Sequence, residues 1–348
     1  MDRILTYAEA IREATVQEMT RDPSVIVLGL GVDDFKGLYG TTRGLQDEFG
    51  PERVFDTPLS EDGMTGVAIG AAMAGLRPIH VHIRMDFVLL AMNQIVNMAA
   101  KARYMYGGAV SVPIVVRSII GRSWGQGPQH SQALHALFMH IPGLRVVAPS
   151  TPYDAKGCLI MSIRDDNPVM FIEHRMLHSQ RGHVPSDLYT VPFGKARVLA
   201  KGSDITLVGI SYMTVECLRA QRYLGEVGIS AEVIDPVCLS PLDIETILTS
   251  VKKTGRLLVV DSGWTVCGAS SEILAQVAEH TQGTPQIRWQ RMGFAPVPCP
   301  TTKNLENLFY PNAQTVASTA FAMVHDNQRS WTPVHKEAPE IVEFKGPF

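Results

Sequence analysis

The sequence predicts an α/β fold built from two doubly wound domains, and three observations carry that expectation. Short apolar runs alternate with helical segments along most of the chain, the pattern of a parallel sheet covered by helices. The 348 residues exceed what one core ordinarily holds and suit two domains of roughly 100–200 residues each. Between His178 and Pro192 the periodicity lapses, and polar residues, Gly and Pro collect there, as in a linker. The expected division is residues 1–185, then 186–328, then a charged, Pro-containing extension over 329–348.

The elements follow in order. Thr6-Tyr-Ala-Glu9 has capping-box spacing, in which hydroxyl and carboxylate satisfy free amides of a first helical turn, and it predicts a helix to about Met19. Val25 to Leu30 reads as a strand, followed by a helix near Gly44, a strand ending near Asp56 and an Ala/Gly-rich helix from about Gly63. Pro78 to Arg84, a long helix from Phe87 to Tyr106, Val112 to Ile120, a helix after His130 and Leu144 to Pro149 continue the alternation. Thr151-Pro152 is a helix start, with a capping hydroxyl and a proline where its missing amide costs least. That helix ends near Asp165, and Val169 to Ile172 closes the first unit. The second unit reads Ile205 to Ile210, a helix from Thr214, Ala231 to Ile234, a helix start at Ser240-Pro241, Leu257 to Val260 and a helix from Ser270 to His280. The helix from Phe87 to Tyr106 is apolar almost all round, which suits burial at a subunit interface, with Asn93, Gln94 and Asn97 pairing across it.

Composition narrows the function. A net charge of −3 with dispersed basic residues indicates neither nucleic acid nor an anionic membrane as partner. No apolar run approaches the roughly 20 residues that span a bilayer, and no signal-peptide pattern opens the chain. Five scattered cysteines without a CxxC pair argue against a disulfide framework or zinc site. The expected location is cytoplasmic. Gly29-Leu30-Gly31 is a weak dinucleotide signal, because Asp34 stands where the third glycine is needed.

Three stretches could carry chemistry. Asp56-Thr-Pro-Leu-Ser-Glu61-Asp-Gly63 sets acidic residues where a strand meets a helix. They suit simple helix-start chemistry, with Ser60 as cap, but Gly66, Gly70 and Gly75 would also let that helix approach a cofactor closely. Gly125-Gln-Gly-Pro-Gln-His130-Ser-Gln132 offers a histidine able to exchange protons near neutral pH, or only a polar first-turn residue; His135 and His140 read as core or rim. On the strand before the long helix, His80, His82 and Arg84 share one face at a period of two. Three potential cations there need partners, or they recognise an anionic or hydroxylated substrate.

The chain resembles the beta subunits of the decarboxylating components of 2-oxo acid dehydrogenases, those acting on pyruvate, branched-chain 2-oxo acids and acetoin, which are transketolase-like. The resemblance runs from about Leu5 to Ala322 and is densest in DTPLSEDGMTGVAIGAAMAGLRP, AMNQIVNMAAKARYMYGG, GPQHSQ, PGLRVVAPSTPYDAKG and IRDDNPV. It implies a pyrimidine-binding thiamine-diphosphate domain followed by a transketolase C-terminal-like domain. It implies that Glu61 activates thiamine diphosphate through the aminopyrimidine ring, that Phe87 and Leu59 pack beside that ring, and that His130 moves protons as the acyl group passes to lipoyl. The carbonyls of Ile114, Ser162, Ile163, Asp165 and Asn167 would correspond to a structural potassium site. A GDG…N diphosphate signature is absent, so magnesium and diphosphate would be held by an alpha-type partner in an α2β2 tetramer, itself served by a lipoyl acyltransferase.

The chain departs from the family pattern at Gly29-Leu-Gly-Val32, at Val81 and at Asn93. With the His80, His82 and Arg84 strand, these departures support an alternative, a two-chain transketolase-like enzyme passing a ketol or acetyl unit to a sugar aldehyde.

Overall fold

The computed structural model describes residues 3–34, 36–121, 125–282 and 287–334. Residues 335–348, most of the expected extension, lie outside the described residues. The chain forms two units that meet between Phe193 and Gly194, with residues 125–128 grouping with the second. The first unit continues past the expected boundary at 185 because its far end still packs on a helix. The Val191 amide donates to the Gly157 carbonyl at 3.1 Å, and the Tyr189 hydroxyl donates to the Tyr153 carbonyl at 2.8 Å.

In the first unit, β1 (Ile4–Thr6) runs into α1 (Tyr7–Arg21). β2 (Val25–Gly29), α2 (Gly37–Gly40), α3 (Leu45–Phe49), β3 (Val54–Phe55), α4 (Glu61–Met73), β4 (Arg77–His82), α5 (Met85–Val88) and α6 (Ala100–Met105) follow. β5 (Val115–Ile120), α7 (His135–Met139), β6 (Arg145–Val147), α8 (Pro152–Arg164), β7 (Val169–His174) and β8 (Arg181–His183) complete it. Parallel pairing sets the order β6-β7-β5-β4-β2-β3, and β1 pairs antiparallel with β8. β2, β5 and β7 are buried along their whole length; β2 reads as an unbroken apolar run, whereas β5 and β7 carry Arg117-Ser118 and Glu173-His174 within theirs.

The caps expected at Thr6 and Thr151 form. Thr6 and Glu9 make the reciprocal capping box, and the Thr151 hydroxyl accepts from the Asp154 amide at 3.0 Å with Pro152 opening α8. Buried Glu18 ties α1 to α8 by accepting from Arg164 at 2.6 Å. The long helix expected from Phe87 to Tyr106 is broken instead. α5 passes through a 3-10 turn at Leu89–Ala91 and a π-helical stretch at Asn93–Ala99 before α6. Small residues of this run, Ala91, Ala99, Ala100 and Ala102, face the core, while Leu90, Met98, Tyr104 and Met105 are exposed. Asn97 donates to Asn93 at 2.9 Å within the run itself.

In the second unit, β9 (Arg197–Ala200), β10 (Ile205–Gly209), α9 (Tyr212–Glu226), β11 (Ala231–Asp235), β12 (Cys238–Ser240) and α10 (Ile244–Thr254) come first. β13 (Arg256–Trp264), α11 (Ala269–His280), β14 (Arg288–Phe294), α12 (Lys303–Phe309) and α13 (Ala313–Val324) follow. The sheet order is β14-β13-β10-β11-β9, parallel except for β9. α10 starts later than Ser240-Pro241 suggests, because Ser240 still belongs to β12 and Asp243 supplies the cap, accepting from the Thr246 amide at 3.2 Å. No described helix is long and apolar enough to cross a membrane.

Candidate active site

Glu61 is the first residue of α4, but the helix-cap explanation of this segment lacks its cap: the Ser60 side chain makes no capping bond. The entrance is braced by Asp56, whose Oδ1 accepts from the Gly31 amide at 2.7 Å and the Thr57 amide at 2.9 Å. The Glu61 side chain is half-buried and meets no hydrogen-bond partner or cation among the described residues, and neighbouring Leu59 is 81% exposed. An unused carboxylate beside a projecting apolar side chain fits a flat ring with a hydrogen-bonding edge, as the aminopyrimidine of thiamine diphosphate has. None of the three glycines of this region sits at a tight approach within the described residues: a Cβ on Gly66 would meet the Gln94 side chain at an ordinary 3.5 Å, and Gly70 and Gly75 face open space.

One turn further along α4, Thr65 reaches the histidines of β4. Its hydroxyl lies 3.1 Å from His80 Nε2 and 3.4 Å from His82 Nε2, and the two rings meet edge to face at 4.4 Å. Burial lowers the pKa of His80 to about 4, against a small opposing effect of the Leu28 carbonyl. Burial, with His80 beside it, holds His82 well below its ordinary value. The expected row of cations is therefore two neutral imidazoles sharing one hydroxyl at neutral pH, with Arg84 beyond the strand end, 3% exposed and donating to the Ile83 carbonyl at 3.3 Å.

The turn after β4 brings two separate motifs together. Phe87 and His130 meet edge-on, with ring centroids 5.4 Å apart and planes at 81°. His130 does not open a helix, because α7 begins only at His135. The intervening segment is tied to α5 by the Gln132 amide and Nε2, which donate to Asp86 Oδ1 at 3.2 and 2.9 Å, and by the Leu134 amide, which points at Met85 Sδ. Burial raises the pKa of Asp86, and the Gln132 donors oppose that shift. His135 is buried and His140 exposed, so neither joins this group.

Three of the five carbonyls expected to hold potassium accept hydrogen bonds from the protein. Those of Ile163 and Asp165 accept from Arg77 at 2.9 and 3.2 Å, and that of Ile114 accepts from the Val169 amide at 3.0 Å. Asp165 Oδ1 accepts from the Asn167 amide and Nδ2, both at 2.7 Å, while the Ser162 hydroxyl donates to the Cys158 carbonyl. Among the described residues no group of three His, Cys, Asp or Glu side chains gathers as a metal site.

A buried network escaped the sequence reading. Arg117 and Glu173, both fully buried on neighbouring β5 and β7, pair at 2.6 and 2.9 Å, and His178 Nε2 lies 3.1 Å from Glu173 Oε2. Burial alone would raise the Glu173 pKa, but the Arg117 charge and the His178 hydrogen bond outweigh it and bring the value to about 2. Side chains from different strands leave no periodic signal, so only the sheet order reveals this pair.

Comparison with known proteins agrees with this architecture. Residues 4–180 match the family described as transketolase, pyrimidine binding domain, and residues 194–316 match transketolase, C-terminal domain. The beta subunit of acetoin:2,6-dichlorophenolindophenol oxidoreductase from Cupriavidus necator is 44% identical over 92% of this chain and 97% of its own. The beta subunit of the pyruvate dehydrogenase E1 component from Rickettsia bellii is 43% identical over 90% of this chain and 96% of its own. A split-gene transketolase, solved as an inactive beta4 tetramer, superposes with a TM-score of 0.75 over 92% of this chain and 98% of its own; at 22% identity it is a likeness of fold. The chain thus belongs to the family that joins a transketolase pyrimidine-binding domain to a transketolase C-terminal domain and includes the beta subunits of pyruvate dehydrogenase and of acetoin oxidoreductase.

Proposed function

We propose that this chain is the beta subunit of a thiamine-diphosphate-dependent 2-oxo acid dehydrogenase, decarboxylating a 2-oxo acid and passing the acyl group to lipoyl in an active site shared with an alpha-type subunit. When bound, the cofactor supplies the nucleophilic carbon and the electron sink for decarboxylation. Glu61 would hold a proton at a ring nitrogen, and Leu59 and Phe87 would flank the ring and exclude water. His130 would deliver and accept protons at the transferred group.

The observation that supports this reading is the edge-on contact of Phe87 with His130, in which the aromatic and the histidine of two distant motifs lie side by side. The exposed apolar side chains of Leu90, Met98, Tyr104 and Met105 support a subunit contact, and hence the α2β2 assembly, because patches of this kind mark interaction surfaces. Magnesium and the diphosphate would be bound by the alpha chain, and a lipoyl acyltransferase would receive the product. Transfer of a ketol or acetyl unit to a sugar aldehyde is less well supported, since His80 and His82 are neutral and buried rather than an open cationic face.

The test is reconstitution with an alpha-type partner, offering pyruvate, branched-chain 2-oxo acids and phosphorylated ketoses as donors, and a lipoyl domain or an aldehyde as acceptor. Turnover of a 2-oxo acid with acylation of the lipoyl domain is expected. Turnover of ketoses alone would sink the dehydrogenase reading.

A further inference from the structure

We propose that Asp86 is a positioning residue for His130, its carboxylate docking the 130–134 segment onto the start of α5 and so holding the His130 ring against Phe87; this rests on the proton-transfer role proposed for His130.

Residues 131–134 have no regular structure, so no repeating backbone pattern fixes where His130 points. Two side chains at the head of α5 take on that task. Asp86 Oδ1 receives both donors of Gln132, one from the backbone at 3.2 Å and one from the side chain at 2.9 Å, and Met85 Sδ faces the Leu134 amide at 3.0 Å. The next residue along α5 is Phe87, on whose edge His130 rests. The carboxylate and the segment each need the other. Asp86 is only 7% exposed, and a carboxylate so placed is costly unless hydrogen-bonded, while the amides of an irregular segment need acceptors. A carboxylate next to one end of the contact and a glutamine two residues from the other thus form one clamp across it.

The clamp has a readout independent of turnover. In the full-length chain, the edge-on contact should displace the ring-proton resonances of His130, and Phe87→Leu marks where they fall without it. Asp86→Ala should move them to that position, whereas Asp86→Asn, which keeps a carbonyl oxygen for Gln132, should leave most of the displacement. In the complex with the alpha partner, Asp86→Ala should lower kcat for lipoyl acylation about 10- to 100-fold, the loss expected from a displacement of order 1 Å. KM for the 2-oxo acid should change less than about twofold, and Asp86→Asn should recover most of the rate. A folded Asp86→Ala chain with unchanged His130 resonances and unchanged kcat overturns the proposal. If Asp86→Ala does not fold, Gln132→Ala removes the side-chain half of the clamp and is judged on the same two readouts. Full activity in His130→Ala would remove the role of His130 in the reaction, and the ring resonances would still decide whether Asp86 holds it.

Discussion

His80 and His82 lie edge to face at 4.4 Å beneath α4, and their environment rather than their residue type decides their charge. Burial lowers His80 to a pKa of about 4, so the native chain keeps it neutral where the unfolded chain, near 6.5, already binds a proton. Between those values the unfolded state holds more protons, so stability rises with pH; it is complete above 6.5 and lost as pH falls toward 4. The His80 contribution lost across this window is about 3 kcal/mol at most. Denaturant titrations at pH 7.5 and 4.5 should show His80→Asn losing less stability than the parent over that interval, and equal losses would contradict the assignment. Glu61, at the entrance of α4, meets no hydrogen-bond partner or cation among the described residues. In the assembled enzyme, Glu61→Gln should slow exchange of the cofactor's reactive carbon-bound proton roughly a hundredfold or more. An unchanged exchange rate would remove its assigned role. The family resemblance pointed to Glu61, Phe87 and His130, whereas Thr65 and Asp86 escaped notice because isolated polar residues acquire meaning only from the groups they touch.

At the scale of elements, the close passage of β2 beside β4 explains the Gly29-Leu30-Gly31 stretch without a nucleotide. Gly29 has φ +146, and a Cβ there would fall 2.2 Å from the Val81 carbonyl oxygen. Gly29→Ala should destabilise the chain by about 2–4 kcal/mol, read as a lower denaturation midpoint, through a clash and a strained backbone. A wild-type midpoint would show that β2 can shift away from β4. The helical run after β4 carries a different lesson. Its all-round apolar pattern was legible, but not its division into 3-10, π and α turns, nor the orientation that buries Ile95 and the alanines and exposes Leu90, Met98, Tyr104 and Met105. Edge strand β14, Arg-Trp-Gln-Arg-Met-Gly-Phe, left no apolar run to read because its first four residues are exposed. Strands paired on both sides and buried, such as β5 and β7, announced themselves as expected.

At the scale of the whole molecule, a site proposed to be shared between chains makes binding depend on assembly. The isolated chain should bind thiamine diphosphate with magnesium weakly, and adding the alpha partner should give stoichiometric binding in calorimetry; tight binding by the chain alone would overturn the divided site. The sequence by itself determined the α/β class, the two-domain order, the capping of α1 and α8 and the family, because these follow from local periodicity and from long motifs in a fixed order. Tertiary structure decided which motifs meet, as Phe87 does His130, and which charges survive, as at His80 and at the Arg117–Glu173 pair. The reason is physical. A sequence records neighbours two to four residues apart, while contacts between distant residues depend on strand order and register, and protonation depends on the burial those contacts create.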